Sequence, residues 1–215
     1  MKRVAVFASG SGSDFQSIID ANERENFCEL SLLVASKEGI YAAERAAKHG
    51  IESIVCNKKE YASAEEMGNA LIRACQSRGI DYIVLAGYLS MIPENFIKAF
   101  PDRIINIHPS LIPSFCGKGF YGLNVHRAAI AYGVKISGLT VHFVDEHYDS
   151  GAIILQRAVP VLEGDTPESL QARILEEEHK ALPLAVKLLT TGKLVKEGRK
   201  VTLLQQDIPQ ARTKI

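Results

Sequence analysis

The sequence predicts an α/β fold: a mostly parallel, twisted sheet with helices on both faces and antiparallel strands near its C-terminal end. Short apolar, β-branched runs alternate with segments whose apolar residues recur at helical spacing, which is the order of βαβ units. A loop of small residues directly follows the first run, at the kind of position where such sheets bind ligands. Two later strand patterns follow one another with only a polar loop between them, which is typical of an antiparallel pair.

Length, charge and cysteine content limit the function classes. A chain of 215 residues can bury a large core, and we expect a single domain over residues 1–204 with a polar tail over residues 205–215. Lys plus Arg and Asp plus Glu number 25 each, so no charge excess points to nucleic acid or a membrane as partner. We expect small-molecule substrates and a monomer or homodimer. The 4 cysteines form no CxxC pair or metal-ligand spacing, and the apolar run near Met1 is too short for the hydrophobic region of a signal peptide. We therefore expect a cytoplasmic protein without a metal.

A strand, a loop of small residues and a helix open the chain. Residues 4–8 are apolar, residues 9–14 are Ser-Gly-Ser-Gly-Ser-Asp, and a short helical apolar face begins at Phe15. This order directs backbone N–H groups at an anion, so the loop is a candidate phosphate cradle. It lacks the Gly-Lys-Ser/Thr of a nucleotide triphosphatase and the third glycine of the dinucleotide fingerprint. Alternatively, the loop is only a tight turn with Asp14 as helix N-cap, and an Asp14 that does not cap would repel a phosphate.

The same alternation predicts the remaining elements. We expect strands at residues 30–35, 51–56, 80–86, 104–108, 139–144 and 152–159, and helices at residues 42–48, 64–78, 94–100 and 125–132. A last long helix begins after Thr166 as N-cap, with Pro167 at its first position. Pro183 lies inside its apolar pattern and predicts a kink or a break. Residues 193–203 suggest a hairpin or tail strand.

Two polar side chains interrupt the apolar strand at residues 104–108. Asn106 and His108 are two residues apart and so share one face, and Pro109 ends the strand just after them. The carboxyl end of a strand is where ligands bind in open α/β sheets. The alternative is a core histidine hydrogen-bonded with the help of the asparagine, which is the commoner role of a single histidine.

Three loops are further candidates. Residues 88–93 are apolar and follow another strand, which suits either a flat hydrophobic ligand or packing beneath the next helix. The glycine-rich residues 114–124 suit a mobile lid. Residues 145–151 are crowded with titratable groups, and their alternative is a solvated turn.

Three segments together resemble the formyltransferase-fold family: Ser-Gly-Ser-Gly-Ser-Asp at residues 9–14, Asn-Ile-His-Pro-Ser-Leu-Ile-Pro at residues 106–113, and Asp-Glu-His-Tyr-Asp-Ser-Gly at residues 145–151. The second segment is specific to that family, and the first segment and the chain length are similar to its member acting on phosphoribosylglycinamide. The resemblance covers about residues 3–195. It implies a Rossmann-like formyltransferase fold and transfer of the formyl group of 10-formyltetrahydrofolate to the glycinamide amine in purine biosynthesis, without a metal.

Carried over position by position, the resemblance implies a catalytic trio of Asn106, His108 and Asp149. It implies that the substrate is held by Gly12, Ser13 and Asp14 at its phosphate and by Glu178 at its glycinamide end. It also implies a folate site formed by Leu89, Ser90, Met91, Ile92, Asn106, Asp145, Glu146, His147 and Tyr148. Asp14 departs from the asparagine that is common in the family.

The residue types suit this chemistry independently of the resemblance. Attack of an amine on a formamide carbon produces a tetrahedral oxyanion, which a protonated imidazole and a carboxamide N–H can stabilise. We expect a nearby Asp149 carboxylate to raise the pKa of His108 and keep it charged. Cys116 and Ser110 have no evident base partner, so we expect no covalent nucleophile.

Three alternatives remain open. A methionyl-tRNA formyltransferase-like enzyme usually adds a C-terminal domain and a basic surface, and a 10-formyltetrahydrofolate hydrolase would need an N-terminal regulatory domain; we expect neither addition here. A non-catalytic, nucleotide-sensing Rossmann module would need the small-residue loop but no proton donor at the end of the central strand.

Overall fold

The computed structural model describes residues 1–204, so the predicted tail at 205–215 lies outside the described residues. Its strands are β1 (Arg3–Ala8), β2 (Glu29–Ala35), β3 (Glu52–Val55), β4 (Tyr82–Leu85), β5 (Ile104–His108), β6 (Ile136–Phe143), β7 (Ile153–Pro160), β8 (Leu194–Glu197) and β9 (Lys200–Leu203). Seven strands form one sheet in the order β3-β2-β1-β4-β5-β6-β7. β1 to β5 pair in parallel, whereas β6 is antiparallel to both β5 and β7. The predicted fold class is confirmed.

Helices cover both faces of the sheet. They are α1 (Ser13–Glu25), α2 (Tyr41–Lys48), α3 (Ala64–Gln76), α4 (Glu94–Ala99), α5 (Leu123–Tyr132) and α6 (Pro167–Thr190), with a 3-10 turn at Lys58–Glu60. One apolar cluster joins the sheet to α1, α2, α5 and α6, and a second joins it to α3 and α4. The predicted hairpin after α6 is present as β8 and β9. Within residues 1–204, no helix is long and apolar enough to cross a bilayer.

Two helices differ from the sequence prediction. α1 runs beyond the short apolar face, and the polar Asn22 closes its end: its amide accepts from Phe27 N and Cys28 N, both at 3.0 Å. α6 continues through Pro183 without the break that we considered. The residues around the proline, including Leu182 and Val186, are fully buried, so tertiary packing outweighs the lost backbone hydrogen bond.

Thr166 caps α6 as predicted, within a reciprocal capping box. Its hydroxyl accepts from Ser169 N at 3.2 Å, and Ser169 Oγ accepts from Thr166 N at 2.9 Å. We expect Thr166→Ala to lower the free energy of unfolding by about 1 kcal/mol, because Ser169 N loses its side-chain acceptor while the backbone N–H at position 166 keeps its bond to Ser169 Oγ. Urea denaturation measures this, with the exposed Thr202→Ala as control. Equal midpoints for the two variants would contradict the capping role.

Candidate active site

A cavity of about 550 Å³ lies at the carboxyl ends of the central strands. The strand order reverses between β1 and β4, which is the switch point where open α/β sheets bind ligands. The loops after these two strands are joined there, since Ser9 N donates to Gly87 O at 3.2 Å and Leu89 N donates to Ser9 Oγ at 2.9 Å. The volume falls in the range of sites for drug-sized ligands.

Most of the predicted site residues line this cavity. They are Asp14, Leu89, Ser90, Met91, Ile92, Asn106, His108, Asp145, Glu146, His147, Tyr148, Asp149 and Glu178. Gly12 and Ser13 are not part of this wall, and Ser13 instead lines a neighbouring cavity of about 310 Å³. One wall is apolar and open, since Leu89 is 65% and Met91 54% exposed. Such surface suits a flat, hydrophobic ligand.

Asp149 brings the predicted trio together at the end of β5. Its Oδ1 lies 3.4 Å from Asn106 Nδ2, and its Oδ2 lies 3.7 Å from His108 Nδ1. Gly117 N also donates to Oδ2 at 2.9 Å. Asp149 adopts φ 49°, a left-handed conformation that costs energy outside glycine and clusters at functional sites. A distant loop therefore delivers its carboxylate to the asparagine and the histidine, at a cost in backbone strain.

The base of the Asp149 loop is fixed by a glycine. Gly151 approaches Phe143 so closely that an added Cβ would lie 1.7 Å from the Phe143 carbonyl oxygen. Phe143 N donates to Ala152 O at 2.9 Å just beside it. Only glycine permits this approach, which sets where the loop leaves β6 and where β7 begins.

His142 orients the Asn106 amide. His142 Nδ1 lies 2.7 Å from the Phe143 carbonyl oxygen, which can only accept, so this nitrogen carries a proton. Its Nε2 lies 3.2 Å from Asn106 Nδ2, an amide nitrogen that can only donate. Asp149 Oδ1 lies 3.7 Å from the same Nε2. The Asn106 NH₂ group thus has one hydrogen held by His142 and a second that makes only a long contact with Asp149.

The loop after β5 folds back over His108. Its Nε2 donates to the Phe115 carbonyl oxygen at 2.9 Å, and Phe115 itself has φ 51°, which is rare for a bulky residue. Thr140 anchors the same loop, because its hydroxyl donates to Ser110 O at 2.7 Å and accepts from Ile112 N at 3.0 Å. The segment that we expected to be a lid therefore contacts the catalytic candidates directly.

The expected direction of the His108 pKa is wrong. His108 is only 5% exposed, and burial lowers its pKa below the ordinary value, while Asp149 and the Phe115 carbonyl act in the opposite direction without reversing it. Burial raises the pKa of Asp149, but the His142 and His108 rings and the Gly117 N–H hold it below its ordinary value. The pair is therefore a neutral imidazole beside an ionised carboxylate near pH 7.

Asp14 does not cap α1, contrary to the alternative considered above. The N-cap is Gly12, in the left-handed conformation at φ 70° and without a side-chain cap hydrogen bond. An added Cβ at Gly12 would lie 2.7 Å from Ala42 Cβ, so the loop packs tightly against α2. The first N–H groups of α1 have no intrahelical acceptor, and Asp14 belongs to this first turn without capping it.

Sequence reasoning missed His142, Phe115 and Gly117. His142 lies opposite Asn106 in the antiparallel register of β5 and β6. The sequence feature that could have pointed to it is a histidine within a strand of alternating polar and apolar residues. Phe115 and Gly117 contribute backbone groups, for which their side chains give no signal. Within residues 1–204, no group of His, Cys, Asp or Glu is arranged to hold a metal ion.

Comparison with known proteins adds an independent line of argument. The formyl transferase family matches residues 2–186. The chloroplastic phosphoribosylglycinamide formyltransferase of Vigna unguiculata is 44% identical over 95% of this chain and 66% of its own length. The phosphoribosylglycinamide formyltransferase of Haemophilus influenzae is 38% identical over 90% of each chain. This chain spans 62% of the length of the Arabidopsis thaliana relative and 15% of the length of a trifunctional purine biosynthetic protein from Drosophila pseudoobscura. It therefore covers less than two thirds of the length of several relatives.

Solved structures of similar proteins have the same fold as this chain. The crystal structure of glycinamide ribonucleotide transformylase 1 from Symbiobacterium toebii superposes with a TM-score of 0.89 at 42% identity, covering 95% of both chains. A formyltetrahydrofolate deformylase from Pseudomonas syringae shares the fold with a TM-score of 0.85 at 22% identity. With a family match over residues 2–186 and a site built at the end of β5, the chain belongs to the formyl transferase family.

Proposed function

We propose that this chain transfers the formyl group of 10-formyltetrahydrofolate to the amine of 5′-phosphoribosylglycinamide, a step of purine biosynthesis. One observation carries the proposal: Asn106, His108 and Asp149 converge on one cavity at the end of β5. The relatives named for this activity support it. We further propose a cytoplasmic setting, in keeping with four free cysteines.

The cavity wall fits a folate. The exposed Leu89 and Met91 would cover a flat ring, and the polar groups of residues 145–149 would bind its edge. The bound folate would supply the formyl group, and residues of the chain would position the reactants, transfer protons and stabilise the oxyanion. The His108 Nε2–H is hydrogen-bonded to the Phe115 carbonyl oxygen. This hydrogen bond must break before the same N–H can donate to an oxyanion.

Asp149 is suited to the proton transfer. The attacking amine must lose one proton, and the leaving nitrogen must gain one. Asp149 is ionised near neutral pH and lies beside both other candidates, so it can accept the first proton and return it through a water molecule. Asn106, held by His142, uses its second N–H to stabilise the developing negative oxygen.

The test is an acceptor comparison with the purified chain. We expect loss of 10-formyltetrahydrofolate, followed by folate absorbance, to require glycinamide ribonucleotide and to be slow with water or methionyl-tRNA as acceptor. Equal rates with and without glycinamide ribonucleotide would identify a hydrolase instead. Calorimetry that finds tight NAD or ATP binding and no folate binding would favour the non-catalytic module.

A further inference from the structure

Asp14 lies in an unusual environment for an acid at a helix N-terminus. Its side chain is only 13% exposed, and within the described residues its Oδ1 is buried without a hydrogen-bond partner. It occupies the first turn of α1, beside backbone N–H groups that a phosphate would accept from. A carboxylate and a phosphate at this place would repel each other.

Glu178 and His179 lie near Asp14, and Arg45 and Asp20 act on His179, but none of them neutralises the Asp14 carboxylate. From α6, Glu178 is 8% exposed and His179 Nε2 lies 3.8 Å from Asp14 Oδ1. From α2, Arg45 is engaged elsewhere, since its Nε donates to Ser11 O and its Nη1 to Gln16 Oε1, both at 2.9 Å. Asp20, further along α1, accepts from Gln16 Nε2 at 2.8 Å.

Burial determines the charges of this cluster. It raises the pKa of Asp14 to about 6. Burial, together with the charge of Asp14, raises the pKa of Glu178 well above its ordinary value. Burial lowers the pKa of His179, so His179 supplies no charge near pH 7. Asp14 is therefore mostly ionised near pH 7 and becomes neutral as the pH falls through about 6.

We propose that Asp14 makes phosphate binding proton-linked: the phosphate end of the substrate binds when Asp14 carries a proton, which is taken up from solvent with the phosphate wherever Asp14 is otherwise ionised. The inference rests on the proposed function, in which the loop at residues 9–14 holds the substrate phosphate. Protonation converts the Asp14 carboxylate from an acceptor into an O–H donor that can face a phosphate oxygen. The neutral carboxyl is then the isostere of an asparagine side chain.

The probe is ribose 5-phosphate, titrated into the full chain by calorimetry in buffers of different ionisation enthalpy. At pH 8 we expect uptake of about one proton per ligand by the wild type and loss of that uptake in Asp14→Asn. With a pKa of about 6, about one Asp14 in 100 is protonated at pH 8, so Asp14→Asn should bind up to about 100-fold more tightly there. At pH 5.5 the two affinities should nearly agree.

Asp20→Asn is the matched control, because it removes an acid from the same helix that is exposed and already hydrogen-bonded. The second ionisation of the phosphate is common to all three proteins and cancels in the comparison. Equal proton uptake by wild type and Asp14→Asn, an affinity ratio that does not change with pH, or no binding at any pH would each overturn the inference. The wild-type measurement stands even if a variant fails to fold. Because it reads phosphate binding and not formyl transfer, its outcome is separate from that of the acceptor comparison.

Discussion

His108→Ala should lower kcat for formyl transfer by about 10²–10³-fold while leaving a folded protein. The imidazole is the side chain whose N–H can be directed at the developing oxyanion, and loss of one such donor costs ~2.7–4 kcal/mol of transition-state stabilisation. Because the wild-type ring is neutral near pH 7, the loss should be similar at pH 7 and pH 8. Steady-state kinetics with glycinamide ribonucleotide at both values measure it.

A stability measurement must accompany the kinetics, since the ring is buried. The variant leaves a cavity and removes the donor from the Phe115 carbonyl, which together should cost about 1–3 kcal/mol of unfolding free energy. His108→Gln keeps a side-chain N–H and should recover part of the rate. His49→Ala, a surface histidine that contacts Glu23, is the control. Near wild-type kcat in folded His108→Ala would remove this histidine from the mechanism.

The positions of Asn106 and His108 at the end of one strand could be predicted because that information is local. Asn106 and His108 share a face through strand periodicity alone, and Pro109 marks the end of the strand. The partner of Asn106 was not local: His142 meets it through the register of antiparallel strands, which depends on how the chain folds back after α5. The hydrophobic periodicity of one strand does not show which residues of another strand will pair with it.

The direction of the His108 pKa could not be predicted from the sequence for a related reason. The sequence correctly suggested a carboxylate near His108, but the balance between that charge and burial depends on how fully the ring is enclosed. The Phe115 carbonyl and the Gly117 N–H that complete the cluster are backbone groups, present at every residue and selected only by the path of the loop. The same holds for Asp14: the sequence shows an acid at this position, but only the structure shows that its Oδ1 is buried without a hydrogen-bond partner among the described residues.

Asp149→Asn should lower kcat by about 10²-fold or more, the range that general acid–base catalysis supplies. The amide can still accept from Gly117 N, but it no longer accepts a proton from the amine. Its NH₂ group also faces Asn106 Nδ2, so one former donor–acceptor contact becomes donor against donor. The structural loss should be small beside the loss of proton transfer.

The pH profile distinguishes these two contributions. The pKa of Asp149 is held below its ordinary value in the folded state, so the wild type keeps an ionised base down to acidic pH and loses it only as pH falls through that value. The rate of Asp149→Asn should lack this acidic limb, and removing the charge should lower the pKa of His108 further. Glu163→Gln, at an exposed acid before α6, should leave the profile unchanged. If Asp149→Asn kept the wild-type acidic limb at a reduced rate, Asp149 would be a positioning residue and the proton acceptor would be another group.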